Sequence, residues 1–232
     1  MITKRDIKQT ILESLDLHHE VRASEILHES YVTAPKEYDL ATELLSQKTK
    51  DAHKHLYNGY IEKLNRTSAQ LDTVDRDASG PTSAYRSLKE AETLNRNAVY
   101  LHELYFANIS DVQSEVAYDS ISYMRLARDF GSFDDWQWDL IACAKSARSG
   151  WAVVGFDMFL QRYTNFFIDG HDCCVPIGCY PIIVIDCWEH ARFRDYLVDD
   201  EKYVVGMMRE LNWDVIEKRI ERAELMARAL KI

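Results

Sequence analysis

Apolar positions recur at helical spacing over two long stretches in the first half of the chain. One runs from Leu40 to about Gln70, and another spans about Ala84 to Ala107. The stretch between them, Asp72–Thr82, is polar and carries Gly80-Pro81, so the two predicted helices form an antiparallel hairpin around one loop. Ahead of the hairpin, residues 1–33 read as a helical extension of two short helices. Thr3 and Asp6 make a capping-box pattern before Ile7, Ile11, Leu12 and Leu15, and Ser24 can cap a second turn through Ile26 and Leu27. No catalytic pattern stands there, and the segment is expected to pack on the body or on a partner.

A further helix opens near Phe130–Asp135, with Ser132 as N-cap and Asp135 three residues on. The period changes after Gly150. Trp151–Asp157, Leu160–Phe167 and Pro181–Asp186 are β-branched and aromatic runs bounded by turn residues, and they read as strands. Helical spacing resumes from about Trp188 to Ala227. Helices first and a small sheet later predict the α+β class. The expected division is a helical hairpin domain over 34–120 and a C-terminal α/β domain over 121–232.

The chain has 232 residues and a mass of 27.0 kDa, enough for one large domain or two compact ones. Lys and Arg number 28 against 38 Asp and Glu, a net charge of −10, which argues against coating nucleic acid. The longest apolar run, Tyr180–Ile185, is far short of the ~20 residues that a membrane span needs. The opening Met-Ile-Thr-Lys-Arg-Asp lacks the apolar stretch of a secretory signal, so a cytoplasmic or other reducing intracellular compartment is expected, not secretion. Cys143, Cys173, Cys174, Cys179 and Cys187 fit that compartment better than a disulfide scaffold. Their spacing has no C-x2-C pair, and plain thiols are preferred over structural zinc.

Histidines carry the candidate chemistry. His53 shares the apolar face of the first long helix with Tyr57, Tyr60, Ile61 and Leu64, and His102 lies on the stripe of Ala98, Leu101, Tyr105, Phe106 and Ile109. A lone histidine on such a face is ordinarily a core residue. The third element is sharper: the strand 181–185 runs directly into Asp186-Cys-Trp-Glu-His190. An ionised carboxylate at the end of a buried strand is costly unless paired or coordinated. Asp186 and His190, one turn apart, can converge on one ion, and the hairpin can supply two more imidazoles. Such a mixed nitrogen and oxygen set suits iron or manganese.

These residues resemble the iron/manganese superoxide dismutases. Pro181–Ala191 is similar to the family signature D-x-W-E-H-A after a short apolar strand, and Asp195-Tyr196 and Leu211–Arg219 continue it in register. Phe130–Phe133, Ser149–Trp151, His102–Ser110 and the segment from Ala34 through Ser46–Thr49 to His53 resemble further family landmarks, so the likeness covers about residues 34–222. The resemblance implies a three-stranded antiparallel sheet in the C-terminal domain. It also implies one Fe or Mn ion per subunit, held by His53, His102, Asp186 and His190, and superoxide as substrate, converted to dioxygen and hydrogen peroxide.

Departures from the family pattern lie outside those four positions. The spacing between His53 and Leu64-Asn65 is one residue short, where the family has a gateway histidine and a tyrosine. Counted back from Leu64-Asn65, the tyrosine is Tyr60 and the nearest histidine is His55; counted forward from His53, Tyr57 and Ile61 share its face instead. The family's solvent-binding glutamine is replaced at both of its positions, by Ala98 and by Gly170. His171, beside Gly170, is the candidate substitute, or else only a polar turn residue of Asp169–Asp172. Glu189 and His190 preserve the family's interface pair, implying a homodimer, while Phe193 replaces an interface tyrosine and Phe106 a common tryptophan. An assembly subunit of a larger complex, joined through residues 1–33 and with weak or no dismutase activity, is the alternative. A non-haem iron oxygenase is a weaker one.

Overall fold

The computed structural model describes residues 32–76, 80–111 and 114–230, so the helices expected over 1–33 lie outside the described residues apart from their last two positions. Helix α1 (Gln47–Thr73) and helix α2 (Ala84–Asn108) form the hairpin; α3 (Ile121–Phe130) and α4 (Phe133–Ser146) lead into strands β1 (Gly150–Asp157), β2 (Arg162–Asp169) and β3 (Cys179–Asp186). Helices α5 (Glu189–Tyr196), α6 (Asp200–Arg209) and α7 (Trp213–Leu230) close the chain. This is the α+β architecture expected, with a three-stranded antiparallel sheet.

Serines start the first four helices. Ser46, Ser83, Ser120 and Ser132 each accept the backbone N–H three residues on, through the side chain. Each such cap contributes about 1 kcal/mol by satisfying a donor that the helix leaves free. The cap at Ser46 corrects the expected start near Leu40. Residues 40–46 are irregular, yet Leu40 and Leu45 are buried, so their apolar spacing reflects core contact without a helix. At the other end of the chain the single expected helical stretch is three helices. Leu197, at φ 55°, breaks the first from the second, and Glu210–Asn212 separates the second from the third.

The sheet order is β2-β1-β3, which leaves β3 as an edge. Pro181 sits where the β1–β3 register shifts between Val154 and Gly155, a position at which a missing N–H is tolerated. At Gly150 the chains approach so closely that a Cβ would lie 1.8 Å from Ile168 O, so only glycine can open β1 ahead of Trp151. Trp136, Trp151, Tyr57, Tyr105, Tyr163 and Tyr203 are fully enclosed in the core between the hairpin, the sheet and the C-terminal helices. Among the described residues no helix is long and apolar enough to cross a membrane.

Candidate metal centre

The hairpin and the end of the sheet bring His53, His102, Asp186 and His190 together, with one ligand atom of each within 4.8 Å of the others. His53 comes from α1, His102 from α2, Asp186 from the last position of β3 and His190 from the first turn of α5. The Oδ2 atom of Asp186 faces Nε2 of His53 at 3.0 Å, of His190 at 3.3 Å and of His102 at 4.0 Å. Its Oδ1 accepts the backbone N–H of Trp188 at 2.8 Å, which aims the other oxygen at the imidazoles. His53, His102 and Asp186 are buried, whereas 29% of the His190 side chain is exposed, so the cluster opens to solvent on that side.

His102 shows what the cluster is built to hold. Its Nδ1–H donates to Ala98 O at 2.6 Å, so Nε2 carries the lone pair. That Nε2 is buried and has no hydrogen-bond partner. Burial lowers the pKa of His102 to about 3 and that of His53 as well, so both rings are neutral at pH 7. Burial opposes a charge on Asp186, but the neighbouring His190 and His53 outweigh it and hold the carboxyl well below its usual range. An imidazole lone pair and a carboxylate oxygen facing each other in a dry site repel unless a cation lies between them. Three imidazoles and one carboxylate fit iron or manganese. The five cysteines are free and contribute nothing to the cluster, and burial pushes the adjacent Cys187 thiol up, away from the thiolate form.

Aromatic rings wall the cluster. Trp151 meets His102 edge-on at 4.9 Å between centroids, Phe106 meets His53 at 5.0 Å, and Trp188 stacks against His190 at 5.7 Å. Beside them lies a hydrogen-bonded chain. Trp151 Nε1–H donates to His171 Nδ1 at 3.1 Å, and His171 Nε2 is 2.9 Å from Tyr60 Oη. An indole can only donate, so Nδ1 of His171 is the acceptor and Nε2–H donates to Tyr60. Gly170, at φ +62°, makes the turn that brings His171 inward, and Asn97 Nδ2 donates to His171 O at 2.9 Å. Burial takes the pKa of His171 down to about 4, and burial with the charge of Asp186 raises that of Tyr60. The ring of His171 is therefore a neutral donor at pH 7, and Tyr60 keeps its proton.

The other expected positions separate. His55 is on the exposed side of α1. Tyr57, the buried residue one turn after His53, sends its hydroxyl to Glu103 Oε1 at 2.9 Å and accepts the Lys36 N–H at 3.2 Å. Lys36 Nζ closes this group on Glu103 at 2.5 Å. Neither the Trp151 indole contact nor the Tyr57–Glu103–Lys36 group was legible in the sequence, because each joins residues from separate elements. In the sequence Trp151 opened a strand and resembled a family landmark, and nothing there showed that its indole donates to His171.

Residues 121–219 match the family model described as iron/manganese superoxide dismutases, C-terminal domain. The superoxide dismutase [Fe] of Aquifex pyrophilus is 34% identical over 179 residues, covering 75% of this chain and 83% of that protein. The superoxide dismutase [Mn] 2 of Haloferax volcanii is 29% identical over 190 residues, covering 82% and 94%. The superoxide dismutase [Fe] of Cupriavidus metallidurans is 29% identical over 182 residues, covering 77% and 90%. The chain belongs to the iron/manganese superoxide dismutase family, a class of metal-dependent oxidoreductases.

Proposed function

We propose that this protein is a superoxide dismutase in which His53, His102, Asp186 and His190 hold one iron or manganese ion. The observation that carries the reading is the buried, partnerless Nε2 of His102 aimed at the Asp186 carboxylate. When bound, the ion supplies one-electron redox chemistry, so that one superoxide leaves as dioxygen and the next as hydrogen peroxide. Asp186 offsets part of its charge, and the carboxylate and the imidazoles together fix its position. The reductive half needs two protons per peroxide, and the chain has a group suited to hold one. Because His171 Nε2–H occupies one lone pair of Tyr60 Oη, the tyrosine's own O–H is free to point into the site. His171 thus orients Tyr60 in place of the family's glutamine, and the exposed His55 has no such contact to offer.

The reading extends to assembly and location. Phe193, Leu197 and Val198 are exposed around α5, next to Glu189 and the open side of His190. That apolar surface beside the centre supports a homodimer formed there. Five free cysteines suit a reducing compartment.

Metal analysis and a dismutase assay on one purified sample test the proposal. Stoichiometric iron or manganese with dismutase activity is expected. Stoichiometric metal without activity would favour the assembly-subunit reading.

A further inference from the structure

We infer that Arg219, together with Asn108, is a positioning residue for the metal centre, locking the helix that carries His102 to the strand that carries Asp186. The inference rests on the reading of those residues as metal ligands.

The need for a lock comes from the sheet. β3 is an edge strand, paired with β1 on one side only, so its outward carbonyls require partners that no strand supplies. Side chains take that place. Val184 O accepts Asn108 Nδ2 at 2.9 Å, and Ile182 O accepts Arg219 Nη1 at 2.8 Å. These carbonyls lie two and four residues before Asp186 on the same strand.

The same guanidinium reaches the other ligand-bearing element. Arg219 Nη1 donates to Asn108 Oδ1 at 2.5 Å, and Nη2 donates to Leu104 O at 3.1 Å, two residues past His102 on α2. One side chain from α7 therefore binds α2 and β3 at once. Asn212 N–H extends the lock by donating to Asn108 O at 2.7 Å.

Arg219 is 6% exposed, and its hydrogen-bond acceptors are all neutral oxygens; among the described residues no carboxylate forms an ion pair with it. Burial lowers its pKa to about 10, so it stays charged at neutral pH. An unpaired buried cation is a costly way to fill space, and an apolar side chain of similar volume would fill it without that cost. What the guanidinium provides instead is a rigid fork of donors whose directions fix two elements relative to each other. His102 Nε2 and Asp186 Oδ2, 4.0 Å apart, sit on those two elements. A metal site tolerates displacements of only about half an ångström, so a slide of α2 along β3 would show at the ion.

The test compares wild type, Arg219→Met, Arg219→Lys, Asn108→Leu and a control, Leu126→Ala, in a core position away from the centre. Each is loaded with iron, and melting temperature, the rate of iron release to a chelator and the ferric EPR spectrum are recorded. Arg219→Met and Asn108→Leu are expected to release iron about tenfold faster or more and to shift the EPR rhombicity. Arg219→Lys, which keeps the charge without the fork, is expected to move release and spectrum in the direction of Arg219→Met, and Leu126→Ala to lower the melting temperature with spectrum and release unchanged. Wild-type spectra and release rates in Arg219→Met, or an equal shift in the control, would overturn the inference. Should Arg219→Met fail to fold, Asn108→Leu and Arg219→Lys decide on the same readouts. A wild type that takes up neither iron nor manganese defeats the ligand reading itself, a different result from metal held indifferently to Arg219.

Discussion

His102 stands between two polar flanks that use the same residue type in opposite ways. Tyr60 lies on one side with its ring 5.5 Å from that of His102, and Tyr57 on the other at 6.3 Å. Both come from α1, three residues apart. Tyr60 joins His171 and Trp151, a chain of neutral groups walled by aromatic rings. Tyr57 joins Glu103 and Lys36, an ion pair whose lysine side chain is 63% exposed. Proximity to the cluster is therefore not what distinguishes the two tyrosines. Their hydroxyl partners do: one is held by a donor and can present its proton to the site, while the other spends its proton on a carboxylate outside it.

The largest expected effect removes what both flanks share. Asp186→Ala or His102→Ala should abolish iron and manganese binding, measured as metal per subunit after purification, because the remaining three groups leave a buried lone pair or an unbalanced charge. Next comes acidification of the metal-free protein. His102 is held neutral when folded, with a pKa of about 3, but takes a proton near 6.5 when unfolded. Below about pH 6.5 the unfolded state binds a proton that the folded state refuses, so stability falls with pH, at up to about 1.4 kcal/mol per unit from this residue. Denaturant titrations at pH 7.5 and pH 5 check the slope, and the metal-loaded protein should show one at least as steep, because a bound ion keeps its ligands unprotonated in the folded state.

The two flanks are then separated directly. Tyr60→Phe should keep the metal and lower turnover by about tenfold, a modest loss for a proton donor because solvent can substitute. A steady-state assay with metal analysis reads it, and unchanged turnover would remove Tyr60 from its role. Tyr57→Phe should leave turnover within about twofold and lower stability by about 1–2 kcal/mol, the loss of a hydrogen bond to a charged acceptor. If Tyr57→Phe changes turnover and Tyr60→Phe does not, the assignment of the flanks reverses. The smallest change is Lys36→Met: the exposed lysine contributes at most about 1 kcal/mol to its pair with Glu103, seen in a melting curve.

Much of this organisation is local and could be read from the chain. The Ser132 cap of α4, the β-branched and aromatic runs of β1 to β3 and the turn from Asp186 to His190 depend on neighbours within a few residues. So does the placing of His53 and His102 on the inner faces of their helices, since helical period alone selects that face. Local rules misread Leu40–Ser46, whose apolar residues meet the core from an irregular segment. There the helix start depends on Ser46, whose side chain caps the first turn and whose N–H donates to Asp195 Oδ2, 149 positions away.

The shortened spacing after His53 marks the boundary between the two kinds of information. By itself the sequence determined the fold class, the family and four residues able to converge on a metal, because each follows from short-range period or from a contiguous motif. Only the tertiary structure gave Tyr57 and Tyr60 their different hydroxyl partners, made His171 a buried donor, and gave Arg219 its carbonyls. Tyr60 meets His171 across 111 positions, and Arg219 meets Asn108 across the same number. A hydrogen bond depends on direction within tenths of an ångström, and no periodicity in the chain carries that information.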